Sequence, residues 1–221
     1  MIYILYRHTS NASGISHDRP KGFEYDRSLK NILSTIKNYN DVQLHLIYDG
    51  VYDGDTNEIF KIINFKGGSD IASFVYTWEY AKSLNINDND LIYFLENDYL
   101  HVDGWVDKVK DLYSKYNVDG YVSLYDCPDK YTSEGYADLI SRIYITDSSH
   151  WRTTPSTTGT FIVNKQTLDN DFDIHTTFYS DHDKFLWLSS NRGRIVLTPM
   201  PGLSTHCVAK YMAPMINWDL I

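Results

Sequence analysis

The sequence is short of cysteine and of positive charge and has no long apolar run, and each shortage excludes a class of protein. Two cysteines, Cys127 and Cys207, are too few for a disulfide scaffold, so we expect free thiols in a reducing compartment. The formal net charge of -9 argues against nucleic acid as a partner, because contact with a phosphate backbone needs a basic face. No apolar run approaches the length of a membrane span.

The first residues also lack the features of a secretion signal. The apolar stretch 1–6 is interrupted by Arg7 and His8, and it has neither a basic start nor a cleavage site. We therefore expect a cytoplasmic protein without a transmembrane segment.

The composition favours one well-packed domain. A chain of 221 residues with 43% hydrophobic and 15% aromatic content is large enough for a substantial core. No internal repeat and no linker divides it, so we predict a single domain over residues 1–221.

Apolar patterns in the first hundred residues predict strands that alternate with helices. The predicted strands are 2–6, 42–48, 60–64 and 91–95, and the predicted helices are 24–38 and 70–81. The second helix should be N-capped by Ser69 or Asp70 and should bury Ile71 and Trp78. Such alternation predicts an α/β fold, a three-layer α/β/α sandwich around a largely parallel, Rossmann-like sheet.

The second half is less regular, and we expect it to form a smaller mixed part. Strands are predicted at 120–125, 160–163 and 194–197, and helices at 105–116, with Asp103 as N-cap, and at 180–191. Residues 126–157 show little periodicity, which is typical of a binding loop or a mobile lid.

Two carboxylates follow the most apolar predicted strand. Glu96 and Asp98 come directly after 91–95, where open α/β sheets bind their ligands. Hard oxygen donors in this place suit Mg²⁺ or Mn²⁺ on a phosphorylated substrate. The alternative is a solvated turn, because Asn and Asp favour turns. The segment alone leaves both interpretations open.

Three more polar motifs lie at intervals along the chain. Asp49-Gly50 follows the second strand, Gly67-Gly68-Ser69-Asp70 follows the third, and Ser180-Asp181-His182-Asp183 begins a late helix ahead of His206. Together with Glu96-Asn97-Asp98, and in this order, they resemble the motifs of family-2-like glycosyltransferases of the GT-A fold. D-G loops and acidic pairs are common singly, whereas four in register are more specific.

The resemblance implies a binding half for a nucleoside diphosphate sugar in residues 1–100 and an acceptor-binding and catalytic half in 101–221. A UDP-sugar is the family's commonest donor, and a glycan or other hydroxyl compound is the acceptor. The residues that it assigns to the nucleotide sugar are Arg7, His8, Asp49, Lys66, Asp70, Glu96, Asn97 and Asp98.

The resemblance also implies a site for Mn²⁺ or Mg²⁺ at Glu96, Asp98 and His206. Asp98 would be a direct ligand, whereas Glu96 would act through water or bind the ribose. A lone histidine such as His206 is otherwise a core or surface residue. The chain departs from the family at Asp70-Ile71-Ala72-Ser73, where an arginine usually meets the phosphates, which leaves Lys66 or the metal to balance the diphosphate.

Asp181 is the candidate general base, which would take the proton of the acceptor hydroxyl in a single inverting displacement. The alternative is structural, because Ser180 and Asp183 have the spacing of a capping box and acidic residues suit a first helical turn. On the acceptor side we single out Thr158, Gly159 and Trp151. As an exposed aromatic Trp151 would stack on a sugar ring, whereas the alternative is a core position, which is the more common one for Trp.

Two other functions compete with glycosyl transfer. A sugar-1-phosphate nucleotidyltransferase is suggested by Arg19-Pro20-Lys21, although the Gly-x-Gly turn that should precede this basic segment is absent. A GT-A domain that only binds a nucleotide sugar or a glycan is the non-enzymatic alternative.

Overall fold

A mixed β-sheet forms the centre of the fold. The computed structural model describes residues 1–9, 18–57, 59–178 and 180–221. The strands in these ranges are β1 (Ile2–Thr9), β2 (Val42–Asp49), β3 (Lys61–Phe65), β4 (Leu91–Glu96), β5 (Tyr99–His101), β6 (Gly120–Val122), β7 (Ile143–Ile145), β8 (His150–Thr153), β9 (Phe161–Asn164), β10 (Ile195–Met200) and β11 (Ser204–His206).

The helices lie between these strands. They are α1 (Tyr25–Ile36), α2 (Asp70–Ser83), α3 (Trp105–Lys115), the short α4 (Asp129–Thr132), α5 (Lys165–Thr177) and α6 (Asp181–Arg192). Single 3₁₀ turns occur at 134–136, 209–211 and 218–220. Among the described residues, no helix has the length and apolar character needed to cross a membrane.

In the described part of the chain, nine strands form one sheet in the order β3-β2-β1-β4-β9-β6-β10-β8-β7. β1 lies between β2 and β4 and is parallel to both. β9 is antiparallel to β4 and β6, and β8 is antiparallel to β10 and β7, so the other strands all run in one direction. The mostly parallel sheet is therefore confirmed. β5 and β11 form a small antiparallel sheet of their own.

Helices cover both faces of the large sheet because successive side chains of each strand point to opposite faces. On β1, Ile4 and Tyr6 face a core shared with α1 and α3. Leu5 faces a second core shared with α2, α5 and α6, which contribute side chains such as Trp78 and Phe185. Two cores on either side of one sheet confirm the three-layer α/β/α architecture.

Residues 126–157 do not form a lid. β7 and β8 pair with each other, and β8 pairs with β10, so this segment builds one edge of the large sheet. The strands are only 3 and 4 residues long, too short for their alternation to stand out in the sequence.

Two local predictions are also corrected. Ile71 is 57% exposed, although Trp78 on the same helix is buried. Asp103 does not cap α3, whose N-cap is Gly104 in the left-handed region (φ +76°), without a side-chain hydrogen bond. The sequence also gave no signal for α5, which is capped by the Asn164 side chain. The cap of α2 by Ser69 is confirmed, since its hydroxyl accepts from Ala72 N–H.

Candidate active site

Glu96 ends β4 at the carboxyl edge of the sheet, directly beside Arg7 on β1. The Arg7 guanidinium donates to Glu96 Oε1 (2.8 Å) and to Asp70 Oδ1 (3.0 Å). Glu96 Oε2 accepts from the hydroxyl of Thr160 (3.0 Å), which in turn accepts from Glu96 N–H (3.2 Å). Parallel register thus places the first acid of the motif against a nearly buried arginine.

Asp98 and His206 are brought together by the small sheet. β5 follows Asp98 and pairs with β11, with Tyr99 opposite His206, and Cys207 N–H donates to the Asp98 carbonyl oxygen (2.8 Å). As a result His206 Nε2 lies 3.0 Å from Asp98 Oδ2, and the imidazole stacks on the Tyr99 ring with centroids 4.9 Å apart. The same Oδ2 also accepts from Arg19 (2.8 Å).

The ionisation of Asp98 follows from these neighbours. Burial alone would raise the pKa of this carboxyl, but His206 and Arg19 outweigh it, so the pKa lies below its ordinary value. Asp98 is therefore held as a carboxylate, the form that a cation requires.

The predicted metal ligands fit a divalent ion only in part. Within the described ranges, no three His, Cys, Asp or Glu side chains converge closely enough to form a complete metal cage. Asp98 and His206 do converge, and Asp98 Oδ1 is buried with no hydrogen-bond partner. Magnesium-type ions commonly take one or two carboxylates and complete their shell with water and substrate phosphates. The pair fits such an ion, whereas Glu96 is occupied by Arg7 and Thr160.

Asp49 is committed to the glycine loop. Its carboxylate accepts from Gly67 N–H (3.0 Å) and Gly68 N–H (2.7 Å). Gly68 adopts φ +71°, which side chains rarely tolerate, so the loop needs glycine there. Asp49 thus fixes the loop that carries the exposed Lys66 and leads into Asp70 at the start of α2.

His8 and Asn97 also contact each other. The Asn97 amide donates to His8 Nδ1 (2.8 Å), and the imidazole is surrounded by Tyr6, Tyr25 and Tyr48 at centroid distances of 5.4–6.1 Å. Burial lowers the pKa of His8. This neutral, aromatic surface at the ends of β1 and β2 suits a planar ring rather than a phosphate.

Asp181 lies in the first turn of α6, beyond its N-cap Ser180, whose hydroxyl accepts from Asp183 N–H. Its Oδ1 accepts from Lys184 Nζ (3.1 Å), and its side chain is 34% exposed. Lys184 is fully buried over the Phe74 ring, and burial lowers the pKa of its amine although Asp181 opposes that change. Capping therefore falls to Ser180, and Asp181 keeps a partly solvent-exposed carboxylate.

The charges of these groups act on one another. Burial raises the pKa of Glu96, and the negative charges of Asp98 and Asp181 raise it further, while Arg7 and His206 lower it. Groups on α6, β4 and β11 therefore share one site.

Gly159, one of the three predicted acceptor residues, borders Glu96. A Cβ at this position would lie 3.4 Å from Glu96 Oε1, which is an ordinary van der Waals contact. The Thr158 hydroxyl is 2.9 Å from Tyr99 Oη. Trp151 is different, because it is 0% exposed within β8, between β7 and β10. It cannot stack on a sugar, and its assignment as an exposed platform is wrong.

The chain around Trp151 is anchored by a buried ion pair. Arg152 donates to Asp126 Oδ1 (2.7 Å), with side chains 5% and 1% exposed, and Tyr131 Oη donates to Asp126 Oδ2 (2.6 Å). On the site side, His182 Nδ1 lies 3.2 Å from Ser156 Oγ. These contacts hold residues 126–157 against the start of α6.

Three residues of the site were not predicted from the sequence. Thr160 and Lys184 were not considered, and Arg19 entered only through a rival motif. The spacing of Asp181 and Lys184, three apart on a helix, is a signal for their contact, because such residues share a face. Nothing local points to Arg19 on Asp98, which are 79 residues apart.

No protein-family model and no curated protein sequence matches this chain. Solved structures do match. A protein described as a glucose-1-phosphate thymidylyltransferase of Bacillus anthracis, solved with a sucrose, is 11% identical over 93% of this chain and 89% of its own, with a TM-score of 0.53. S. aureus TarS 1-349 is 9% identical over 89% of this chain and 57% of its own, with a TM-score of 0.50. The galactosyltransferase LgtC, solved with donor and acceptor sugar analogues, is 11% identical over 88% of this chain and 72% of its own, with a TM-score of 0.49.

At these identities the likeness concerns the fold alone. The chain has the GT-A type fold that the sequence motifs predicted.

Proposed function

We propose that this protein is a glycosyltransferase that moves a sugar from a nucleoside diphosphate sugar, with a UDP-sugar favoured, to a hydroxyl acceptor. The proposal rests on one observation: the Asp98–His206 pair, Glu96 and the half-open Asp181 meet at the carboxyl edge of a GT-A sheet. Ligands of open α/β sheets bind at that edge.

Binding of the donor would use the neighbouring motifs. The aromatic surface around His8 suits the base, and the loop fixed by Asp49 brings Lys66 and the first N–H groups of α2 to the same edge. Helix N-termini favour anions, so the diphosphate is expected beside that loop.

In the proposed reaction an acceptor oxygen attacks the anomeric carbon while the bond from that carbon to the diphosphate oxygen breaks. Asp181 takes the proton of the attacking hydroxyl, and the nucleoside diphosphate leaves with the bonding electrons. Lys184 holds the Asp181 carboxylate in place. One displacement of this kind inverts the anomeric configuration.

Asp98 and His206 would hold the Mn²⁺ or Mg²⁺ that the motif implies. Such an ion, when bound, offsets the charge that develops on the departing diphosphate. Arg7 would keep Glu96 oriented beside it, where Glu96 can contact the ion through water or bind the ribose.

The test is the Asp181→Asn variant, assayed for UDP release from UDP-sugars with Mn²⁺ and for donor affinity by calorimetry. We expect transfer and slow donor hydrolysis to fall at least about 100-fold while donor binding changes little. Asp183→Asn is the matched control, because it lies in the same helical turn and is expected to keep activity. Equal activity of Asp181→Asn and wild type would remove Asp181 as the base.

The sugar-1-phosphate nucleotidyltransferase is kept as a second candidate because of one contact. Arg19, from the basic Arg19-Pro20-Lys21 segment, lies on Asp98 at the centre of the site. This enzyme would release pyrophosphate from a nucleoside triphosphate and a sugar phosphate. Pyrophosphate release without any hydrolysis of nucleotide sugars would favour it over glycosyl transfer. Donor binding with neither reaction would indicate a domain that only binds.

A further inference from the structure

Arg19 makes a set of contacts that join the two segments of the proposed cation site. Its Nη1 donates to Asp98 Oδ2 (2.8 Å) and to the carbonyl oxygen of Cys207 (2.9 Å), the residue after His206. Its Nη2 donates to Tyr25 Oη (3.3 Å), and the guanidinium lies 4.6 Å from the centroid of the Phe23 ring. The Arg19 side chain is 22% exposed and that of Asp98 is 11% exposed. These contacts together fix the position of the Arg19 guanidinium.

This position conflicts with a divalent ion on the same carboxylate. Asp98 Oδ2 already accepts from Arg19 and lies 3.0 Å from His206. An ion bound between Asp98 and His206 would stand within a few ångströms of a guanidinium that stays charged at every ordinary pH. Two like charges this close, in a poorly solvated place, repel each other strongly.

The balance changes when the nucleoside diphosphate sugar is present. Its diphosphate carries two negative charges, and Asp98 carries a third. The ion carries two positive charges, so one negative charge is left without a partner. The guanidinium supplies the missing positive charge, and its planar fork matches phosphate oxygens in a bidentate geometry. The face of the guanidinium lies over the Phe23 and Tyr25 rings, and these contacts can persist while its edge turns from carboxylate to phosphate.

We propose that Arg19 is a diphosphate-binding residue that also acts as the resident cation of Asp98 in the free protein. It opposes binding of the divalent ion alone and favours binding of the ion together with the diphosphate. The inference rests on the proposed function, because it takes the nucleoside diphosphate and the ion from it. Its consequence is that ion and diphosphate bind cooperatively, and that Arg19 is the source of the cooperativity.

Loss of Arg19 must therefore act in opposite directions on the two ligands. Arg19→Gln keeps a hydrogen-bonding side chain but removes the charge. We expect its affinity for Mn²⁺ alone, measured from the signal of free Mn²⁺ in electron paramagnetic resonance, to rise at least about 10-fold. We expect its affinity for UDP at saturating Mn²⁺, measured by calorimetry, to fall at least about 10-fold.

The matched control is Arg27→Gln. Arg27 lies nearby on α1, but it donates to the carbonyl oxygens of Trp218 and Ile221 rather than to Asp98. Both affinities should stay within about twofold of wild type, because its charge acts on neither ligand directly. Arg19→Lys serves where Arg19→Gln does not fold, and we expect it to keep weak Mn²⁺ binding but lose UDP affinity, since a lysine is a point charge without the fork.

The outcomes separate the inference from the function. If Arg19→Gln binds Mn²⁺ no more tightly than wild type, or if it loses affinity for both Mn²⁺ and UDP, the proposed role of Arg19 is wrong. If Arg19→Gln binds Mn²⁺ more tightly and UDP more weakly, but the wild-type protein transfers no sugar, the role of Arg19 is supported and the proposed function is refuted. Absence of Mn²⁺ binding in every variant, with and without UDP, overturns both.

Discussion

The ammonium of the fully buried Lys184 lies 3.1 Å from one carboxylate oxygen of Asp181, whose side chain is 34% exposed. The buried positive charge of Lys184 thus fixes the orientation of the partly exposed Asp181 carboxylate. The two residues are three apart in α6, so one helical turn supplies both the candidate base and its support.

Lys184→Met should separate orientation from binding. The variant keeps the apolar contact with Phe74 but frees the Asp181 carboxylate to rotate, so we expect kcat to fall about 10- to 100-fold with little change in the donor KM. Steady-state kinetics of UDP release checks this. Lys165→Met is the control, because Lys165 is also buried, at 8% exposure, in a pair with Asp169 at the start of α5. An unchanged kcat would show that Asp181 needs no such support.

Chelation should weaken the binding of UDP. Because we assign the ion to Asp98 and His206, EDTA or Asp98→Asn is expected to reduce UDP affinity at least about 10-fold, as measured by calorimetry or by the ligand-induced rise in Tm. Asp103→Asn is the control, an exposed acid in the connection to α3. Undiminished affinity after removal of the ion would contradict the metal assignment.

Acidification should destabilise the fold through His101. Burial lowers the pKa of this imidazole to about 3, against 6.5 in the unfolded chain, so below pH 6.5 the unfolded state binds the proton first. The free energy of unfolding should therefore drop as the pH falls, by about 2 kcal/mol between pH 7.5 and 5 from this group alone. Urea titrations of wild type and His101→Gln check it. The variant should show a shallower loss, and an identical slope would exclude His101 as a cause.

Asp171 should matter far more to stability than Asp173, although both bind Arg192. Asp171 is fully buried and also accepts from Tyr121 and Arg194, whereas the Asp173 side chain is 64% exposed. We expect Asp171→Asn to lower the free energy of unfolding by about 3 kcal/mol, because two guanidinium groups lose their buried anion. Asp173→Asn should cost under about 1 kcal/mol. Equal losses in urea denaturation would contradict this reading of the network.

The layers and most strands were predictable because their signals are local. The buried runs of β1, β2 and β4, and the acids that follow β4, lie within a few residues of each other in the sequence. The family resemblance assigned Glu96 and Arg7 to one site, and the parallel pairing of β1 and β4 places them side by side at one edge of the sheet.

What was missed depends on burial of polar groups or on distant contacts. The inner face of α5 includes Asp171 and His175, both buried, so its periodicity does not read as apolar. The sequence left an exposed and a core position open for Trp151, because the strands that cover it on both sides pair with β8 only in the folded sheet. Arg19 reaches Asp98 only through tertiary folding.

The small sheet of β5 and β11 has a consequence for how this protein can diversify. Its backbone hydrogen bonds fix the spacing of Asp98 and His206 directly, whatever the length or identity of the hundred-odd residues between them. Sequence changes at exposed positions between the two strands, such as Ile140 (92% exposed), can therefore accumulate without shifting that pair. The spacing of Asp98 and His206 can in this way stay constant while the surface around it diversifies.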